Sequence, residues 1–206
     1  MSEVSRSMEA TAARAAARVE RGRRAMPSGW WGVALLIATE ATLFGCLIAT
    51  YFYLRFNATS WPPDGIPKPS VVLPLVFTAM LVASCAPMLR AVRAAKAGRR
   101  LPGLGLLAVA AAVQATYLGL QIHLFVEDLN KFSPNDDAYG SIYFTLLGIH
   151  HAHVAVGLAL DAWIIGKLLG GLTNYRLIAV RVIAFYWYFV AAVAVPVVFT
   201  QLYPSL

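Results

Sequence analysis

Five apolar stretches, each long enough to cross a bilayer, constrain this chain more than any other feature. They run over about residues 30–56, 71–92, 101–125, 139–166 and 177–203. Crossing roughly 30 Å of hydrocarbon takes about 20 helical residues, and in lipid the backbone must satisfy its own hydrogen bonds. Composition agrees: 59% of residues are hydrophobic and 13% charged, against about 45–50% and about 25% in soluble domains. The expectation is an all-α integral membrane bundle of five transmembrane helices. The first apolar run exceeds the ~7–15 residues of a cleavable signal core, so it is expected to remain as a membrane anchor.

The connections carry helix breakers. Trp61-Pro62-Pro63-Asp64-Gly65, with Pro67 and Pro69, cannot be regular helix and reads as an ordered, extended loop. Arg99-Arg100-Leu101-Pro102-Gly103 marks a turn into the third segment, and Ser133-Pro134-Asn135-Asp136-Asp137 a turn into the fourth. Loops this short leave no room for a soluble domain. Residues 1–29 are set apart as a cytoplasmic basic tail, and 30–206 as the membrane domain. In the tail Arg14, Arg18 and Arg21 recur at helical spacing, so it reads either as a basic helix on an anionic membrane face or as a disordered segment.

The basic residues fix an orientation. The tail holds six Arg, the 90–100 loop five Lys or Arg, and the 167–181 loop three, whereas the alternate loops hold only Arg55, Lys68 and Lys131. Cytoplasmic loops collect positive charge, so the N-terminus is expected inside and, after five crossings, the C-terminus outside. The formal charge of +7 is then a topological signal, and nucleic acid is not expected as a partner.

Charged groups at bilayer depth cost several kcal/mol unless they face the bundle interior or water. Glu40 and Asp161 are two such groups. Glu40 lies near the midplane of the first segment, and His150 and His153 lie at similar depth in the fourth, so helices one and four are placed to bring a carboxyl and an imidazole together. His150, His153, Gly157 and Asp161 fall at i, i+3, i+7 and i+11 and form one stripe, with His151 about 100° away. Three readings of the stripe stay open: hydrogen-bonding glue between helices, proton handling, and a metal or haem site. Two histidines three apart share a face and cannot supply both axial ligands of one haem iron. Cys46 and Cys85 lie in different segments with no Cys/His cluster, so they read as reduced, buried thiols. Small residues at helix-packing spacing (Ala34/Ala38, Ala41/Gly45/Ala49, Gly166/Gly170) read as sites of close backbone approach.

Taken together, particular residues carry a family resemblance. Trp31-Gly32, Ala38-Thr39-Glu40 and Tyr51-Phe52-Tyr53-Leu54-Arg55 resemble the helix of haem-copper oxidase subunit III that bears the family's intramembrane glutamate. Trp61-Pro62-Pro63 with Gly65 and Pro67 resembles the loop that follows. Tyr139 to Phe144, Gly148 to Val154 and Gly157-Leu158 are similar to the fourth-helix signature of the short, five-helix bacterial form, and Gln121 matches a third-helix position. The resemblance spans about residues 29–206. It implies a non-catalytic core subunit of a terminal oxidase in aerobic respiration, a multi-pass protein of the bacterial plasma membrane. It further implies that haem and copper reside in partner subunits I and II rather than here. Bound phospholipid, and a supporting part in proton uptake and sustained turnover, complete the implied role, with Glu40, His150, His153, Asp161 and Gln121 as proton- or lipid-related candidates. Glu40, rather than aspartate, leans toward the cytochrome c branch over the quinol branch.

The fifth segment departs from the pattern. An imidazole and a carboxylate of the family's run are Tyr188 and Ala191 here, and Leu124 stands where an acidic residue usually follows Gln121. These departures keep open the equivalent subunit of a quinol oxidase or nitric oxide reductase. A stand-alone transporter or proton channel is the reading from a different class, although no inverted repeat with paired broken helices is visible.

Overall fold

The structure, a computed structural model, describes residues 28–205. The basic tail lies outside the described residues, except for Ser28 and Gly29, which begin the first helix. By internal contacts the chain divides into Met1–Leu35 and Leu36–Leu206. The described residues are helical, with no strand among them. Six long helices appear: α1 (Ser28–Asn57), α2 (Val72–Ala83), α3 (Cys85–Lys96), α4 (Arg100–Leu129), α5 (Ala138–Leu169) and α6 (Asn174–Leu202). A short 3-10 turn, Tyr203–Ser205, closes the chain. Because α2 and α3 are nearly continuous, the helices make five spans long and apolar enough to cross a membrane.

The second span was expected as one helix and is interrupted at Ser84. Pro87 explains the break. It has no N–H to give the Ala83 carbonyl four residues back, and its ring crowds that carbonyl. The residues on either side still bond across the joint, Ser84 N to Met80 O at 3.1 Å and Met88 N to Ser84 O at 3.3 Å. Pro87 thus occupies the first turn of α3, where a missing donor costs least.

Between α3 and α4 the chain reverses through Gly98, whose φ of +72° suits glycine. Gly103 then packs on the α3 backbone, since a Cβ there would lie 3.5 Å from Ala91 O. Asp137 caps α5 by accepting from Gly140 N at 2.6 Å, and Thr173 caps α6 by accepting from Arg176 N at 3.3 Å. At the other end of α5, Arg100 donates through Nε to Leu168 O at 2.7 Å and through Nη2 to Leu169 O. Its charge meets carbonyls that have no partner within the helix.

The main core joins α2 to α6, with Leu81, Met88, Leu107, Tyr117, Val154 and Trp187 among its buried members. Gly157 makes it possible: a Cβ there would meet Trp187 Cζ2 at 2.6 Å, so the indole rests on bare backbone. Leu36–Asn57 of α1 is held differently, through large side chains such as Phe44 and Tyr51. Trp61 anchors the proline-rich loop by donating to Tyr51 Oη at 2.9 Å and setting its ring against Tyr139 of α5, 5.0 Å between centroids.

Two packing expectations change. Gly45 and Gly166 would meet nothing within 4 Å if they carried a Cβ, so neither mediates a close approach within this chain. Cys46 is exposed and Cys85 half-buried, both as free thiols.

Candidate functional site

Glu40 and His153 meet. Glu40 is the thirteenth of 30 residues in α1 and His153 the sixteenth of 32 in α5, so both lie near mid-span. Glu40 Oε2 is 3.1 Å from His153 Nε2, with side chains 26% and 16% exposed respectively. The other imidazole nitrogen, Nδ1, lies 2.8 Å from Ile149 O one turn back. Phe44 packs on the imidazole with centroids 5.2 Å apart, and Tyr186 of α6 donates to the His153 carbonyl at 2.9 Å. The ring is therefore held between α1 and α5, and α6 holds the backbone beneath it.

These contacts assign protons. A carbonyl can only accept, so His153 Nδ1 carries a hydrogen and donates it to Ile149 O. The contact between Nε2 and Glu40 then needs one proton between them. Either carboxylic acid donates to neutral imidazole, or imidazolium donates to carboxylate. Both forms are neutral overall, so a proton can move within the pair without creating an isolated charge at mid-bilayer.

The other candidates are elsewhere. His150 is 2% exposed, and its Nε2 lies 3.2 Å from Tyr117 Oη of α4. Gln121 joins the same hydroxyl by donating from Nε2 at 3.5 Å. His151, expected to point away from the stripe, sets its ring edge against Phe125 of α4, centroids 5.6 Å apart. Asp161 is separate again and fully buried. The single stripe thus serves three settings, because its length of three turns passes different neighbours on α1, α4 and α6.

Sequence reasoning missed Phe44 and Tyr117, which contact the imidazoles, and Tyr186, which bonds the His153 carbonyl. Tyr117 and Gln121, polar and four apart in an apolar helix, were the available signal. It also missed a polar cluster at one end of the bundle. There Asp128 accepts from Tyr143 Oη at 2.6 Å and from Lys131 Nζ at 3.0 Å, while Gln201 donates to Tyr143 Oη at 2.9 Å. These groups border a cavity of about 240 Å³ that Lys68 and Glu127 also line. Among the described residues no three His, Cys, Asp or Glu side chains converge as a metal site.

Fold and site define a multi-pass helical membrane protein with a carboxyl–imidazole contact at mid-span. The family model described as cytochrome c oxidase subunit III matches residues 11–204. The chain belongs to that family. It is 31% identical to cytochrome c oxidase subunit 3 of Bacillus subtilis, over 85% of this chain and 84% of that protein. It is also 31% identical to cytochrome bo(3) ubiquinol oxidase subunit 3 of Pseudomonas aeruginosa, over 85% and 82%. With cytochrome c oxidase subunit 3 of Pisaster ochraceus it shares 28% identity over 79% of this chain and 65% of the relative. The chain therefore spans a little under two thirds of that longer relative.

Proposed function

We propose that this chain is a non-catalytic core subunit of a haem-copper terminal oxidase in a bacterial plasma membrane. It packs against subunits I and II, which hold haem and copper, and it supports proton uptake, lipid binding and durability of the catalytic subunit. The observation that carries this reading is the Glu40–His153 pair, 3.1 Å apart at mid-span and partly open on the α1 side. A neutral pair that holds one proton suits a supporting part in proton delivery. The large exposed side chains Leu35, Leu36, Leu43 and Phe56 of α1 suit contact with lipid or another membrane subunit.

The Pseudomonas relative is named for a quinol oxidase, which supports a second reading in which the complex takes electrons from quinol. Purification of the tagged full chain from its native membrane in mild detergent tests the proposal. Co-elution with haem-bearing subunits is the expected result, and the donor that the complex oxidises separates the two readings. A haem-free chain that transports protons or solute by itself would contradict both.

A further inference from the structure

The cavity of about 240 Å³ lies at the end of the bundle that carries the proline-rich loop, and its lining shares no residue with the Glu40–His153 pair. The loop forms one wall and is tied down where Ser205 Oγ donates to Pro69 O at 2.7 Å. Another wall holds Tyr143 and Gln201, both buried and joined by the 2.9 Å hydrogen bond between them.

Four charged side chains line the space: Lys68 from the loop, and Glu127, Asp128 and Lys131 around the end of α4. They sum to zero but are unequally committed. Lys131 and Asp128 form an ion pair at 3.0 Å, and Glu127 contacts His123 at 3.3 Å with its side chain still 48% exposed. No salt bridge among the described residues reaches Lys68. One uncommitted ammonium and one half-exposed carboxylate suit a ligand that carries one negative and one positive group. A net anion would meet Lys68 but would also face two carboxylates, a repulsion that partial desolvation strengthens.

The remaining lining is apolar. Leu73 of α2 and Leu124 of α4 border the cavity, and these two helices pack together. One turn closer to mid-span on each helix, Val76 and Leu120 are exposed. Apolar side chains therefore continue from the cavity along both helices, the direction in which an acyl chain runs. Sites that enclose a drug-sized ligand occupy roughly 300–1,000 Å³, so this smaller cavity admits a headgroup and leaves the chains outside.

We propose that the cavity binds the headgroup of a zwitterionic phospholipid, phosphatidylethanolamine, with its phosphate on Lys68, its ammonium toward Glu127 and its acyl chains on the α2–α4 surface. A primary ammonium supplies the N–H donors that a carboxylate accepts, which the quaternary amine of phosphatidylcholine lacks. The proposal gives a place and a headgroup to the lipid binding put forward above, and it rests on that reading.

Native mass spectrometry of the assembled complex, purified in mild detergent and titrated with phosphatidylethanolamine, phosphatidylglycerol or phosphatidylcholine, tests it. The expected result is tightest binding of phosphatidylethanolamine. Lys68→Gln should weaken that binding about tenfold, the loss of one charge-assisted hydrogen bond, whereas Lys96→Gln at the opposite end of the bundle should leave it unchanged. Glu127→Gln should narrow the preference over phosphatidylglycerol by removing one of the two carboxylates. If Lys68→Gln does not assemble, wild-type complex is photolabelled with phosphatidylethanolamine bearing a photoreactive headgroup, and the label should fall on peptides containing Lys68 or Glu127. Phospholipid bound equally by wild type and Lys68→Gln, or label confined to other peptides, would overturn this site and leave lipid binding by the chain intact. Binding of phosphatidylglycerol at least as tight as that of phosphatidylethanolamine would overturn the headgroup assignment, and no bound phospholipid in wild type would remove the lipid-binding reading itself.

Discussion

Ile149 O occupies one ring nitrogen of His153, which leaves Nε2 to face Glu40. At this scale the energetics are those of unpaired groups: a buried nitrogen that loses its partner costs about 1–3 kcal/mol. Gly157 shows the same scale in packing. Gly157→Ala sets a methyl group 2.6 Å from Trp187 Cζ2, and overpacking of this kind costs about 1–3 kcal/mol. A lower thermal midpoint for retention of the subunit in its complex is expected, with Trp187→Phe partly restoring it by vacating the crowded space. No fall in Gly157→Ala would mean that the indole is not held against α5. Depth along each helix was readable, and it placed Glu40 at a depth similar to that of His150 and His153. Which imidazole met the carboxyl depended on helix rotation, for which a single sequence carries little signal.

Helix ends and joints form the next scale. Five spans were legible from apolar length and from the Pro, Gly and Asp clusters between them. The joint at Ser84 was not, because proline alone does not specify a break: Pro87 follows one, whereas Pro196 sits inside an unbroken α6. Small-residue spacing misled as well, since among the described residues a Cβ on Gly45 or Gly166 would meet nothing within 4 Å. Caps, in contrast, act locally. Asp137→Ala removes the acceptor of Gly140 N and should cost about 0.5–2 kcal/mol of stability, whereas Asp137→Asn should cost little. Thermal release of the subunit from the complex reads the difference, and equal midpoints for Ala and Asn would show that the cap contributes nothing.

At the scale of the molecule, fourteen of its seventeen basic residues fall in the tail and two alternate loops. Reporter fusions after Lys96 and after Leu206 should therefore report opposite sides of the membrane, with Lys96 inside. The same side for both would break the five-span topology. Some of these cations also have structural work, since Arg100 and Arg176 donate to carbonyls around the end of α5. The central claim concerns what the mid-span pair does for the whole complex. Glu40→Gln keeps an amide donor for His153 Nε2 and removes only the exchangeable acid proton. Initial oxygen-reduction rate and the lifetime of activity over many turnovers, measured together in membranes on fully assembled complex, test the claim most directly. A supporting role predicts an initial rate close to wild type with a shortened active lifetime. Immediate loss of nearly all activity would make Glu40 an obligatory proton carrier and contradict it.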